Sequence, residues 1–279
     1  MLRFLVGVAL VFGAISRSAA AQRSIPPDTI SVTVGSLTLR GLLWRPRGTG
    51  PFPAVLFNHG SYSTADPITE NEPGVLGPVF ARHGFVFLFL FRQGIGLSLG
   101  QGTADGDVMA RALTAEGIGG RNRVQLQLLE NEEFDEALAG LAFLRSLPEV
   151  DVHRVAVVGH SFGGSITLLV AARDTAVRAA VVFGAAAASW SQSPDLRARL
   201  LAAVGRTRAP VLFIHAANDY SLEPGKALAS EMQRLRKPHG LKLYSAIGRE
   251  SRDGHNLVYQ SVPTWESDVF GFLAAHLQR

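Results

Sequence analysis

The sequence predicts an α/β fold with a mostly parallel, doubly wound sheet. Short runs of continuous apolar residues are typical of strands that helices bury on both faces. Segments with helical spacing separate these runs, and right-handed crossovers would then place the helices on both sides of the sheet. No internal repeat and no linker between two cores is visible, so a single domain is expected. The apolar runs are FPAVLFNHG, GFVFLFLF, RVAVVGH, VRAAVVFGA, APVLFIHAAND and LKLYSAIG.

An antiparallel hairpin is predicted ahead of these runs. The segment ISVTVGSLTLRGLLWRP alternates apolar and polar residues on both sides of Gly35 and Ser36. Alternation with a period of two is typical of a strand with one buried face, and the Gly-Ser pair supplies a two-residue turn. Two strands should therefore pair antiparallel before the parallel part of the sheet begins.

One long helix and several shorter ones are predicted between the apolar runs. The long helix covers NRVQLQLLENEEFDEALAGLAFLRSLP, where apolar residues recur at helical spacing until Pro148 ends the pattern. Its acidic run, ENEEFDEA, is predicted to be a solvated face. Only one helix fits between VVFGA and APVLFI, so no large cap is expected. The shorter helices are predicted at 75–82, 164–172, 196–204, 225–235 and 265–277.

Residues 92–120 interrupt the alternation of strands and helices. This segment is rich in glycine and has no clean period, so it is predicted to be a long loop that is either functional or mobile. Asp105, Gly106 and Asp107 within it are interpreted as a turn. The segment contains no dinucleotide-binding fingerprint, because its third glycine comes one place too late for G-x-G-x-x-G and no helix pattern follows. No cofactor is expected.

The N-terminus has the charged, apolar and small-residue order of a signal peptide. We expect residues 1–21 to be removed after Ala21, which leaves a single domain at 22–279 that is secreted or periplasmic. The formal net charge of +4 becomes +2 when Arg3 and Arg17 leave, and the remaining arginines are scattered, so no nucleic acid partner is expected. The chain has no cysteine, which excludes disulfides and thiol chemistry.

A serine, an aspartate and a histidine follow three different apolar runs. The carboxyl ends of parallel strands meet at one edge of the sheet, so these side chains should lie together. Ser161 stands in the G-x-S-x-G pattern Gly159–Gly163, directly after RVAVV. Asp219 follows VLFI, and His255 follows LKLYSAI through a loop. The order Ser, Asp, His predicts Ser161 as a nucleophile, His255 as its base and Asp219 as the acid that orients the base.

Other residues are weaker candidates for these roles. His160 adjoins the nucleophile on a tight turn and should point away from it, so we expect a packed residue rather than a base. Glu223 is a second choice for the acid, and Asp253 is too close to His255 in sequence to orient its ring. Spacings such as H-E-x-x-H are missing, so no metal is expected. The histidines expected to be solvated or part of the core are His215, His239 and His276.

Two backbone amides are predicted to form an oxyanion hole. The amide of Phe162 opens the helix behind the nucleophile, and the amide of Ser61 follows the strand that ends in NHGSY. One such donor is typically worth about 10² to 10³ in rate. Both residues come directly after strands of the predicted sheet, so their amides should reach the same carbonyl oxygen as Ser161.

Four motifs in order, NHGSY, GHSFGG, HAANDYSLEP and DGHN, resemble the α/β-hydrolase superfamily, in its dienelactone hydrolase-like and prolyl oligopeptidase-like branch. The resemblance covers nearly all of the chain after residue 39 and implies the α/β-hydrolase fold with Ser161, Asp219 and His255 as catalytic residues. Dienelactone hydrolases use a cysteine where this chain has Ser161, whereas the segment RQGIGLS keeps Arg92 and Ser98 of the related loop.

The resulting expectation is an exported serine esterase that acts on a small-molecule ester without a cofactor. An aminopeptidase or acyl-peptide hydrolase with the same catalytic residues is the main alternative. It would need a group that binds a substrate amine or carboxylate, such as the acids of the 92–120 segment. A non-catalytic binding protein with the hydrolase fold is a further alternative.

Overall fold

The computed structural model describes residues 26–69 and 71–278. The predicted signal peptide at 1–21 lies outside these residues, and export stays a prediction. Within the described part of the chain, none of the helices combines the length and the apolar character that crossing a membrane requires.

The strands form one mixed sheet in the order β1-β2-β4-β3-β5-β6-β7-β8. From β3 onward, neighbouring strands run parallel, whereas β2 is antiparallel to both β1 and β4. This arrangement is the α/β-hydrolase fold, and it confirms the predicted fold class. The strands are β1 (Asp28–Val34), β2 (Leu37–Trp44), β3 (Phe52–Asn58), β4 (Val86–Leu90), β5 (Val150–His160), β6 (Ala179–Phe183), β7 (Val211–Ala216) and β8 (His239–Tyr244).

The predicted N-terminal hairpin is also confirmed. Val34 pairs with Leu37, which leaves Gly35 and Ser36 as the two-residue turn. Gly35 has a φ of 57°, a left-handed conformation that glycine adopts without steric cost. The hairpin therefore forms at the place where the sequence offers the residue that its turn requires.

Helices cover both faces of the sheet, and the core lies in two layers between helices and strands. Successive residues of a central strand point to opposite layers: Leu56 packs with Leu88 on one face, and Val55 packs with Phe87 on the other. Each fully buried side chain of this kind contributes about 1.5–3 kcal/mol to folding. The helices are α1 (Asn71–Arg82), α2 (Asp105–Glu130), α3 (Glu132–Ser146), α4 (Ser161–Arg173), α5 (Pro194–Arg206), α6 (Glu223–Arg234), α7 (Ser251–His255), α8 (Leu257–Gln260) and α9 (Val262–His276).

The expectation of a loop over residues 92–120 was wrong for its second half. Asp105 begins α2 instead of a turn, and the helix continues to Glu130 with an irregular residue at Gly117, whose φ is 66° and ψ is −162°. Residues 113–119 are exposed on all sides, so no apolar stripe marks them as helical in the sequence. Glycines at 117, 119 and 120 further weakened the helical signal.

The single long helix and its solvated acidic face also need correction. The helix is divided at Asn131, which has φ −126° and ψ −104°, so α2 and α3 are separate elements. Glu130, Glu132 and Asp135 are exposed as expected. Glu133 and Glu136 are instead buried, at 0% and 1% exposure. The acidic run thus has a buried face as well as a solvated one.

Candidate active site

Ser161 lies on a sharp turn between β5 and α4. Its φ of 55° is in the left-handed region, which is strained for a residue with a side chain and projects the hydroxyl out of the strand-to-helix connection. A Cβ on Gly159 would lie 2.3 Å from the carbonyl oxygen of Gly163, and one on Gly163 would lie 2.1 Å from the carbonyl oxygen of Asn58. Only glycine fits at these two positions, so the pattern G-x-S-x-G is dictated by the packing of β3, β5 and α4.

The structure brings Ser161, His255 and Asp219 into one hydrogen-bonded chain. Ser161 Oγ lies 2.8 Å from His255 Nε2, and His255 Nδ1 lies 2.7 Å from Asp219 Oδ1. Ser161 follows β5, Asp219 follows β7, and His255 lies at the end of α7, beyond β8. Three elements that are distant in sequence thus meet at the carboxyl edge of the sheet. A hydroxyl, an imidazole and a carboxylate in this order can activate the hydroxyl as a nucleophile.

Asp219 receives more hydrogen bonds than the sequence indicated. His215 Nδ1 lies 2.7 Å from its Oδ2, and the amide of Tyr220 donates to its Oδ1 at 2.7 Å. Burial alone would raise the pKa of the Asp219 carboxyl, but the hydrogen bonds from His215 and His255 outweigh it and lower that pKa below its usual range. His215 is a site residue that sequence reasoning assigned to the solvated or core histidines; its spacing of four residues before Asp219 was the available signal.

His160 lies beside His255 but does not face Ser161 as a base. Its Nε2 donates to the carbonyl oxygen of His255 at 2.9 Å, and this hydrogen bond holds the backbone at His255. Burial, together with the nearby His255, lowers the pKa of His160 to about 3, so its ring is neutral near pH 7. The alternative acids lie elsewhere: Glu223 pairs with Lys226 on α6, and Asp253 caps the start of α7.

Ser61 and Phe162 lie on the two segments that flank Ser161. Ser61 follows β3 and lines the same cleft as Ser161. A Cβ on Gly60, the preceding residue, would lie 3.5 Å from the Cβ of Ser161, so the two segments are in close contact. Phe162 is the second residue of α4, where the backbone amides of a helix start have no intrahelical partner. The structure therefore brings both predicted oxyanion residues next to the serine.

A buried ionic cluster lies behind this segment. Arg92 follows β4 and is 3% exposed; its guanidinium forms ion pairs with Asp105 at 2.9 Å and with Glu133. Glu136 accepts a hydrogen bond from the backbone amide of Gln93 at 3.0 Å. Burial opposes the charge of Arg92, but Glu133 and Asp105 outweigh it and raise the pKa of the guanidinium. Burial raises the pKa of Glu136 to about 7.

The cleft in front of Ser161 is small and polar, with a volume of about 220 Å³. Asp66 at its rim pairs with Arg252 at 3.1 Å, and Glu72 accepts a hydrogen bond from the hydroxyl of Tyr62. Burial raises the pKa of Glu72 above its ordinary value. In the described residues, groups of His, Asp and Glu that could hold a metal ion are not found. The lining consists of Gly60, Ser61, Tyr62, Asp66, Pro67, Thr69, Glu72, His160, Ser161, Tyr220, Arg252, His255 and Asn256.

The chain is similar to several known proteins over most of its length. A polyketide transferase from a Penicillium species is 26% identical over 227 residues, which cover 79% of this chain and 67% of the transferase. The acylaminoacyl peptidase of Pyrococcus horikoshii superposes with a TM-score of 0.67 at 16% identity, over 93% of this chain and 43% of the peptidase. An esterase of Pyrococcus furiosus superposes with a TM-score of 0.63 at 16% identity, over 90% of this chain and 91% of the esterase.

The structural relatives share the α/β-hydrolase fold with this chain. The chain spans less than half the length of the acylaminoacyl peptidase, which contains further residues outside the shared region. Residues 101–250, more than half of the chain, match the dienelactone hydrolase family. The protein therefore has the α/β-hydrolase fold, and it belongs to the dienelactone hydrolase family.

Proposed function

We propose that this protein is a serine esterase that cleaves small carboxylic esters through an acyl-enzyme intermediate. The observation that carries the proposal is the continuous hydrogen-bonded chain from Ser161 through His255 to Asp219, with distances of 2.8 and 2.7 Å. Nucleophile and base are within hydrogen-bonding reach, and the base is oriented by a buried carboxylate. The fold supports the same assignment, because the turn that carries Ser161 lies at the edge of the sheet where ligands bind.

In the acylation half-reaction, Ser161 Oγ attacks the ester carbonyl while His255 Nε2 takes the hydroxyl proton. The carbonyl oxygen becomes an oxyanion, which accepts hydrogen bonds from the amides of Ser61 and Phe162. The tetrahedral intermediate then collapses, the bond to the alcohol oxygen breaks, and His255 returns its proton to that oxygen. Asp219 holds the imidazole in the tautomer that accepts at Nε2 and stabilises the imidazolium.

In the deacylation half-reaction, water replaces the alcohol. His255 takes a proton from the water, whose oxygen attacks the acyl carbonyl and restores the oxyanion. Collapse of the second tetrahedral intermediate breaks the bond to Ser161 Oγ, and His255 gives the proton back to the serine. The products are a carboxylic acid and an alcohol, and the protein returns to its starting state.

The cleft favours short and polar substrates over long acyl chains. Among the described residues that line it, none is Ala, Val, Leu, Ile, Met, Phe or Trp, so an extended alkyl chain would find little apolar surface there. Its volume of about 220 Å³ also limits the size of the group next to the scissile bond. An acetyl or hydroxyacyl ester fits these properties.

A fluorophosphonate probe tests the nucleophile directly. Wild-type protein should be labelled and should hydrolyse p-nitrophenyl acetate, whereas Ser161→Ala should lose labelling and at least about 10³-fold of its esterase rate. Ser165→Ala provides a matched control, because Ser165 is a buried serine on the same helix. Equal labelling of wild type and Ser161→Ala would overturn the assignment. Absence of both labelling and hydrolysis in the wild type would favour a non-catalytic binding protein.

A hydrolase for aminoacyl esters or peptides is the second candidate function. The three acids of the 92–120 segment do not support it, because each has another partner. Asp105 is buried in the ion pair with Arg92, Asp107 accepts from Thr64, and Glu116 pairs with Arg123. The observation in its favour is Glu72, a carboxylate in the lining of the cleft that could receive a protonated amine. We expect hydrolysis of p-nitrophenyl esters to exceed that of aminoacyl p-nitroanilides. Amide turnover comparable to ester turnover, lost in Glu72→Gln, would favour the peptidase instead.

A further inference from the structure

The guanidinium of Arg92 lies directly behind the segment that carries Ser61. Its two terminal nitrogens donate to two successive carbonyl oxygens, Nη1 to that of His59 and Nη2 to that of Gly60, each at 2.8 Å. Arg92 is 3% exposed and does not line the cleft, so it is not placed to contact a substrate. The contacts of its guanidinium therefore concern the backbone of the site.

The carbonyl of Gly60 and the amide of Ser61 belong to the same peptide group. This peptide is trans, so its C=O and N–H point in opposite directions. A guanidinium that holds the carbonyl on one side consequently directs the amide to the other side. A charge-assisted hydrogen bond to the carbonyl also polarises the peptide and makes its N–H a stronger donor.

Asp105 holds the same segment through its next peptide group. Its Oδ1 accepts hydrogen bonds from the amide of Tyr62 at 3.0 Å and from the hydroxyl of Ser61 at 3.2 Å. Its Oδ2 accepts from Arg92 Nη2 at 2.9 Å. Arg92 and Asp105 thus bind consecutive backbone groups on both sides of Ser61, and their own ion pair keeps the two attachments together.

Phe162 is in contact with the same guanidinium. The Cζ of Arg92 lies 5.3 Å from the centre of the Phe162 ring, a distance at which a cation is attracted to an aromatic face. Ser61 and Phe162 carry the two amides assigned to the oxyanion hole, and they come from different parts of the chain. Arg92 touches both segments and so fixes their separation.

We propose that Arg92 is a positioning residue of the oxyanion hole, which orients the Ser61 amide through the Gly60 carbonyl and holds the Phe162 segment beside it. The ring of His59 contacts the same carbonyl, with its Nδ1 at 2.8 Å from the Gly60 oxygen. This assignment rests on the proposed function, because it requires an oxyanion at Ser161. Arginine suits the task, since its planar fork binds two carbonyls and two carboxylates at once. A lysine carries the same charge without that geometry.

The variant Arg92→Lys tests the assignment because it keeps the positive charge beside Asp105 and Glu133. We expect its kcat for p-nitrophenyl acetate to fall about 10- to 100-fold, with KM changed by less than about threefold, because the oxyanion donors act mainly in the transition state. Arg145→Lys is the matched control, since Arg145 forms a half-buried ion pair with Asp174 away from the cleft. That variant should keep the wild-type kcat.

A trifluoromethyl ketone provides a readout that loss of folded protein cannot imitate. It adds to an active-site serine as a hemiketal, and fluorine NMR follows the ionisation of the hemiketal hydroxyl in the folded, liganded molecules alone. We expect the pKa of the hemiketal to rise by about one to two units in Arg92→Lys, in line with the loss in kcat. An unchanged hemiketal pKa, or an equal effect in Arg145→Lys, would overturn the role of Arg92. If the wild type forms no hemiketal and Ser161→Ala behaves identically, the proposed function itself fails.

Discussion

At the scale of single residues, Asp219 is the group of the site whose position is fixed by several hydrogen bonds at once. It accepts hydrogen bonds from two imidazoles and one backbone amide, and these bonds occupy both of its carboxylate oxygens. His215 is therefore more than a packing residue, because its Nδ1 fixes the oxygen that does not face His255. A carboxylate held from both sides can orient the ring of His255 without rotating about its own side chain.

Removal of the His215 hydrogen bond should weaken this orientation. We expect His215→Leu to lower kcat/KM for p-nitrophenyl acetate about tenfold, because a hydrogen bond to a buried carboxylate is worth roughly 1.5–3 kcal/mol and part of it is recovered by relaxation. His215→Asn should retain most of the activity, since its amide nitrogen can occupy the position of Nδ1. Steady-state kinetics on the two variants decide the point: equal rates for Leu and Asn would show that only the volume of the ring matters.

At the scale of elements, the site is formed by connections that follow the strands. The turn from β5 to α4 needs glycine at 159 and 163 because carbonyl oxygens of neighbouring segments occupy the space of any Cβ. Gly184, after β6, is similarly restricted, as a Cβ there would lie 3.0 Å from His255 Nδ1 and 3.1 Å from Asp219 Oδ2. Close approach of backbone to the side chains of the candidate site is thus a shared property of these connections.

The parts of the fold that could be predicted from sequence depend on local patterns. Buried strands give continuous apolar runs and the hairpin gives an alternating one, so both were visible. The order of Ser161, Asp219 and His255 could be predicted for the same reason, because each follows such a run. His215 could have been identified as well, since it precedes Asp219 by four residues at the end of the same run.

The parts that escaped prediction depend on contacts between distant segments. Arg92, Asp105 and Glu133 are far apart in sequence, and each taken alone has the features of an ordinary charged residue. Only the fold shows that α2 and α3 turn these carboxylates inward against β4. The helix at 105–120 was hidden for another reason, because its exposed middle carries no apolar stripe and its glycines lower helix propensity.

At the scale of the whole molecule, the buried ionic cluster connects the site to the stability of the fold. Arg92 follows β4, Asp105 begins α2, and Glu133 and Glu136 lie on α3, so one network joins three elements. The cluster contains three carboxylates and one guanidinium, and burial favours the protonated form of Glu136. Removal of one partner from a buried network of this kind leaves the opposite charge unpaired, and this strongly destabilises the fold. The stability of the fold should consequently respond to pH through Glu136.

Glu136 gives this response a defined direction. Burial raises its pKa from the ordinary value of 4.5 to about 7, so between these pH values the folded protein binds more protons than the unfolded chain. Its contribution to stability is therefore complete below pH 4.5 and is lost as the pH rises to about 7. Glu136→Gln keeps an oxygen that can accept from the amide of Gln93, but its side chain does not titrate. The free energy of unfolding of this variant should therefore fall less than that of the wild type over this pH range. One pKa unit corresponds to about 1.4 kcal/mol, so the expected difference is about 3 kcal/mol.

Urea unfolding of wild type and Glu136→Gln at a series of pH values measures this difference. Glu132→Gln is the matched control, because Glu132 lies on the same helix but is exposed to solvent, and it should follow the wild-type curve. Parallel curves for wild type and Glu136→Gln would show that the buried carboxylate does not change its protonation on folding. A flatter curve for Glu136→Gln alone would mean that the cluster behind the active site holds a proton in the folded protein, and that its loss at higher pH weakens the whole molecule.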